Sequence, residues 1–417
     1  MKKILLLLVA MLAVLSLAAC GNEETPAEHP EETTAQQGEL ETPGVEDKGE
    51  NGFLPVDPAD FYKFEQFTLP EGDFRDAAVE HMYKMSSIEW TCSSNFSVSE
   101  KWENWGISLD FKKGTVYHGI PYADTKVSYD DFMNHIKDGT FTADSTAWKD
   151  VLGVQCISSI MNAIQQFDPS VAGTSNQMMP SYKTFEASIL GDYKVPEGVN
   201  RTIEIIEANG NDKIYECYGL LKKGDIIITK DDTKGTSHFR MLVEDATAHV
   251  NGAGRFVPSR SSVKTIEQTN AFDRERPGIH STWFVDHVYS FEELLNSRYL
   301  PLTLDIYNKP RSECEIPYLA LDKEITSEIL GKGSFSSSIK SNFPIRFIYL
   351  DVLDRSGNMV NHVVVRDMSD TRAINLRNHA FKVFDNLESG DYTFVFTAGI
   401  ARGSAEFARV DFTYTAK

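Results

Sequence analysis

"GVQCISSIMNAI", residues 153–164, places a single cysteine at the head of a run in which Ile157, Ile160, Met161 and Ile164 recur at helical spacing. The spacing predicts a short helix with one apolar face and with Cys156 in its first turn. A thiol is mostly protonated at neutral pH, so a nucleophilic cysteine needs a device that favours the anion. The N–H groups and dipole of a helix N-terminus supply one such device, and a neighbouring imidazole supplies another. Taken alone, the stretch fits a buried structural cysteine. Its neighbours in the sequence decide whether a second device is present.

Downstream the period changes from helix to strand. In "LLKKGDIIITKDDTKGTSHFRMLVED", residues 220–245, a strand over Ile226 to Thr229 is followed by a polar turn and a second strand over Ser237 to Glu244. His238 heads that second strand and shares a face with Arg240, Leu242 and Glu244, while Phe239, Met241 and Val243 share the other. A further strand is predicted in "SSVKTIEQTN", residues 261–270, after an irregular Gly-rich loop at "VNGAGRF". Its Glu267 and Gln268 point to opposite faces, so only one of them can reach the histidine. His118, His135, His249, His280 and His287 are the other candidates in this region, with His280 read as a loop residue in "RPGIHSTWF".

Upstream, "DFRDAAVEHMYKMSSIEW" reads as an amphipathic helix with Ala78, His81, Met82 and Met85 at helical spacing. An extended stretch broken near Gly114 follows, and then "SYDDFMNHIKDG", a short helix with its stop at Gly139. "SFEELLNSRYLPLTL" reads as a last short helix feeding an extended exit. From residue 303 onward, helix signals give way to short alternating runs such as "IRFIYLDVLD", "HVVVRD" and "YTFVFTAGIA", separated by turns such as "RSGN" and "ESGD". That is the pattern of a small antiparallel β-sandwich.

The first twenty residues, "MKKILLLLVAMLAVLSLAAC", pair a basic start with a short apolar run and small residues before Cys20. They are expected to act as an export signal rather than a membrane span. "LAAC" resembles the lipobox of bacterial lipoproteins, which implies lipidation of Cys20 and a stable membrane anchor. Residues 21–52 carry many glutamates and almost nothing to bury, as expected of a disordered tether. The tether supplies much of the net charge of −20, and the acidity that remains argues against nucleic acid as a partner. The cysteines at 92, 156, 217 and 314 form no CxxC pair and no Cys/His zinc spacing, so no metal or cofactor is expected. Nothing in the sequence favours a particular disulfide pairing. Trp102, Trp105, Trp148 and Trp283 are read as packing residues before groove-lining ones.

In order and spacing, "KGTVYHGIPY", "GVQCISSIMNAI" and "LLKKGDIIITKDDTKGTSHFRMLVED" resemble the NlpC-type and CHAP-type papain-like cysteine peptidases and amidases of bacterial cell walls. The matching positions are Pro121-Tyr122, Cys156 with Ser158 or Ser159, Gly224-Asp225 and His238. The resemblance implies that Cys156 is the nucleophile, His238 the general base and Tyr122 a polar group near the oxyanion or substrate. It places the third polar residue at Glu267, with Gln268 as the alternative. Gln155 invites comparison with an oxyanion glutamine, although the backbone N–H of Cys156 is the preferred donor. The family's Asp-Cys-Ser-Gly reads Gln155-Cys156-Ile157-Ser158 here, and the link from Tyr122 to Cys156 is longer than usual. The final hairpin also resembles bacterial immunoglobulin-like modules in a general way.

The expected fold class is therefore α+β. A papain-like domain of helices and an antiparallel sheet spans residues 53–302, and an all-β immunoglobulin-like sandwich spans 303–417. The expected function is a surface-anchored cysteine amidase or endopeptidase acting on peptidoglycan stem peptides, with a possible surface partner for the sandwich. The alternative is a non-catalytic envelope-binding or adhesion lipoprotein that retains the fold. A solute-binding protein would need alternating βα units, and the sequence shows none.

Overall fold

The computed structural model describes residues 50–101, 106–171, 174, 176–181, 187–366 and 370–416. The leader, Cys20, most of the tether, Trp102 and Trp105 lie outside the described residues. Strands in several sheets dominate and the helices are few and short, an α+β arrangement.

A six-stranded, wholly antiparallel sheet carries the residues of interest. Its strand order is Trp283–Ser290, Ser262–Gln268, Thr236–Leu242, Ile226–Asp231, Leu300–Leu304 and Ala187–Ile189. Ile226, Ile227 and Ile228 are buried on both faces, which fits a central strand. In the next strand Phe239 and Met241 turn into the core, while His238 and Arg240 face the other way and are only half-buried.

The helix Cys156–Ile164 packs on the His238 strand, on the Ser262–Gln268 strand and on the helix Phe74–Ser86. It was expected to show one apolar face, but all nine of its residues are buried. The helix lies inside the molecule, and its polar side chains bond to backbone there, with only Asn162 Oδ1 left unpartnered among the described residues of the helix. Ser159 Oγ donates to Cys156 O at 2.9 Å, and Asn162 Nδ2 donates to Val127 O and Ser158 O at 2.9 Å each.

Other expectations need correction. The helix in "SYDDFMNHIKDG" ends at Met133, and Gly139 is not its stop. Asp138 and Gly139 both have positive φ, 49° and 71°, and form the tight turn between the short strands Ile136–Lys137 and Thr140–Phe141. His280 lies in a loop as expected, but the edge strand that Trp283 opens and that runs to Ser290 was not identified in the sequence. Two helices that the sequence reading did not identify, Thr202–Asn209 and Asn211–Tyr218, are separated by Gly210 at φ 81°. Trp148 and Trp283 are core residues. Gly119 makes room for Trp283, since a Cβ there would sit 2.3 Å from its ring.

The buried apolar residues form two clusters, one spanning Leu69 to Cys314 and one spanning Leu319 to Tyr414. Two four-stranded antiparallel sheets enclose the second cluster. The position expected as a boundary, 302/303, falls inside the strand Leu300–Leu304 of the six-stranded sheet. Conversely, the early strand Lys63–Gln66 pairs with Tyr318–Leu321 in a sheet of the second cluster. A buried ion pair also joins the two regions. Arg366 donates from Nε and Nη2 to Asp131 at 2.7 and 2.9 Å, and Tyr349 OH donates to the same carboxylate.

Candidate active site

Cys156 is the first residue of its helix, and the polypeptide before it is fixed by close contacts. Gln155 adopts an extended cap conformation, and its N–H donates to Ser158 Oγ at 2.8 Å. Val154 N–H donates to Pro121 O at 2.9 Å, and Ala123 N–H donates to Val154 O at 3.2 Å, which sets Tyr122 beside the approach to the cysteine. Gly153 permits this contact, because a Cβ there would sit 2.5 Å from Pro121 O. The first-turn N–H of Cys156 has no carbonyl one turn back to serve, as at any helix start.

Cys156 is 4% exposed, and its side chain is near enough to the His238 ring for the two to interact. The other face of that ring is taken: Nε2–H donates to Glu267, one strand over. Nδ1 is therefore the nitrogen left for the sulfur. Glu267 is 2% exposed and is held from three directions. Besides His238, Arg240 Nε lies 2.9 Å from both carboxylate oxygens, and Tyr289 OH donates to Oε1 at 2.7 Å.

The charges follow from these contacts. Burial drives His238 towards its neutral form, but the Glu267 carboxylate and the interaction with Cys156 outweigh it and hold the imidazole pKa at about 9. Burial pushes Glu267 up, but the imidazolium and then the Arg240 guanidinium bring it down to about 2. Histidine and carboxylate thus form an ion pair at neutral pH. The phenol of Tyr122 is raised well above its ordinary value, first by burial and then by the nearby Cys156 and Asp124, so it stays protonated.

Cys156, His238, Glu267 and Tyr122 thus gather at one place, while other candidates are occupied elsewhere. Gln268 turns to the opposite face and donates to Ile120 O at 2.7 Å, which removes it as an orienting residue. The Gln155 side chain donates to Asp124, so its amide is engaged away from an oxyanion role. Ser158 and Ser159 serve the helix backbone. Asp225 is structural: it is fully buried and accepts from Arg75 Nη1 at 2.6 Å, Thr303 Oγ1 at 2.6 Å and Lys222 N–H at 2.8 Å. His280 packs on Tyr117, His118 lies 3.5 Å from Glu89, His135 donates to Asp131 O and His287 lies 3.4 Å from Asp273.

Three residues of the cluster went unassigned in the sequence. Arg240 was legible from alternation, since it shares the His238 face. Tyr289 sits on the edge strand Trp283–Ser290, which was not identified in the sequence. Tyr299, whose phenol feels the charges of Arg240, Glu267 and Cys156, stands between the last helix of this region and the strand after it, where periodicity is silent.

Cys92, Cys156, Cys217 and Cys314 are all free and buried. Among the described residues, no three His, Cys, Asp or Glu side chains form a metal site, and no helix is long and apolar enough to cross a membrane. Comparison with protein-family models, curated proteins and solved structures returns no match.

Proposed function

We propose that the chain is a cysteine hydrolase cleaving an amide bond, with Cys156 as nucleophile, His238 as the proton carrier and Glu267 as the residue that orients it. The observation that carries this reading is the imidazole held between a helix-start thiol and a buried carboxylate. Cys156 sulfur attacks the carbonyl carbon, and the proton shared with His238 passes to the leaving amine as the C–N bond breaks. Water then attacks the thioester and gives its proton to His238. The products are a carboxylic acid and the regenerated pair. The N–H of Cys156 serves the oxyanion, with the Tyr122 phenol beside it.

The sequence resemblance adds the finer assignment. The catalytic region is papain-like, of the NlpC or CHAP kind, and the C-terminal sheets form an immunoglobulin-like module. The likeness of "LAAC" to a lipobox supports a mature protein outside the cytoplasm with a lipid on Cys20. Peptidoglycan stem peptides are then the amides within its reach.

The near-complete burial of Cys156 favours the second reading, an envelope-binding lipoprotein without activity. Site-resolved labelling with iodoacetamide at pH 7 separates the two. Burial raises the thiols of Cys92, Cys217 and Cys314, so Cys156 is expected to react at least about tenfold faster than each, and His238→Ala to erase the difference. Equal rates at Cys92, Cys156, Cys217 and Cys314 leave only the binding reading.

A further inference from the structure

Arg240 stands two residues along from His238 on the same strand face, and only part of its guanidinium is engaged. Nε serves both oxygens of Glu267 at 2.9 Å. The planar group lies between two phenols, its carbon 3.8 Å from the ring centre of Tyr289 and 4.4 Å from that of Tyr299. Nη1 and Nη2 donate to nothing among the described residues, and neither is sealed from solvent. Glu293 is near enough to feel Arg240, but it is exposed and accepts from Ser290 N–H and Oγ.

A guanidinium usually spreads five donors over its partners, so one that uses a single N–H inside a closed cluster leaves a forked edge free. Two aromatic faces fix its plane. The free edge matches a carboxylate, which takes two parallel N–H donors. Tyr299 adds a phenol among the thiol, the guanidinium and Glu267, with no hydrogen bond of its own among the described residues. The chain as a whole carries a net charge of −20, which repels anions, so an anionic substrate needs a local cation to be held.

We propose that Arg240 is the specificity-determining residue of this site and takes a carboxylate of the substrate on Nη1 and Nη2. The amide attacked by Cys156 then belongs to an acidic compound that carries a free carboxylate. This rests on the hydrolase reading above, and the test keeps the two apart.

The probes are iodoacetate and iodoacetamide, which differ by a carboxylate in place of an amide. With either, the Cys156 sulfur displaces iodide and forms a thioether. The rate ratio of the two reagents at Cys156 is measured at pH 7 on the folded chain by mass spectrometry. Arg240→Gln is expected to lower the iodoacetate-to-iodoacetamide ratio about tenfold, and Arg240→Lys, which keeps the charge, to retain most of it. A residue that only props up Glu267 would slow both reagents together, and an unchanged ratio in Arg240→Gln overturns the subsite while leaving the nucleophile intact. If iodoacetamide itself fails to single out Cys156 in the parent protein, the hydrolase reading falls and the subsite falls with it.

Discussion

Glu267 meets His238 across neighbouring strands with a carboxylate that is also pinned by Arg240. The imidazole owes its high pKa first to that carboxylate, working against burial. Glu267→Gln keeps the shape and removes the charge, so the His238 ionisation should fall from about 9 towards its ordinary 6.5. Histidine ring NMR against pH reads this directly. The same substitution breaks a buried pair and should cost about 3–5 kcal/mol in urea unfolding.

Stability should depend on pH through the same two groups. The His238 contribution, from a raised pKa, is complete below 6.5 and is lost as pH rises through about 9. The Glu267 contribution, from a lowered pKa, is complete above 4.5 and is lost as pH falls through about 2. The pair therefore contributes in full between pH 4.5 and 6.5. His238→Ala should flatten the alkaline decline seen in denaturant titrations, and an unaltered decline would assign it to other groups.

Asp225 belongs to the stretch that resembles a family motif, yet its contacts are all structural. Asp225→Ala leaves Arg75 without its buried partner and should destabilise the fold by about 3–5 kcal/mol. The folded fraction should still alkylate at Cys156 at the parent rate. A specific loss of Cys156 reactivity without loss of stability would contradict this.

Arg366 and Asp131 join the two apolar clusters through a buried ion pair. Arg366→Met should cost about 3–5 kcal/mol, because it strands a carboxylate whose remaining side-chain hydrogen bond among the described residues comes from Tyr349. A double-mutant cycle with Asp131→Asn should return a coupling of about 1–3 kcal/mol. A value near zero would mean that the pair adds nothing to the joint.

The parts of the site that follow from local periodicity were legible in the sequence. Alternation put His238 and Arg240 on one face and forced a choice between Glu267 and Gln268, and the helical spacing after Cys156 marked its helix. What depended on distant packing was not legible. No pattern within "GVQCISSIMNAI" says that the helix is enclosed on every side, since its buried serines and asparagine look polar until their backbone partners are known. Tyr289 lies on the edge strand Trp283–Ser290, to which the sequence reading assigned no element. Tyr299 joins the cluster only through the tertiary fold. The early strand Lys63–Gln66 has a partner far along the chain, and local propensity cannot announce that.

That strand has a consequence for biosynthesis. Lys63 pairs with Leu321, and Gln66 with Tyr318, so a growing or exported chain carries one unmatched strand edge until residue 321 has emerged. Unpaired edges recruit other chains. A product truncated at residue 302 would keep every side chain of the cysteine site and still expose that edge for good. Aggregation of such a fragment would therefore report a missing clasp rather than a defective site.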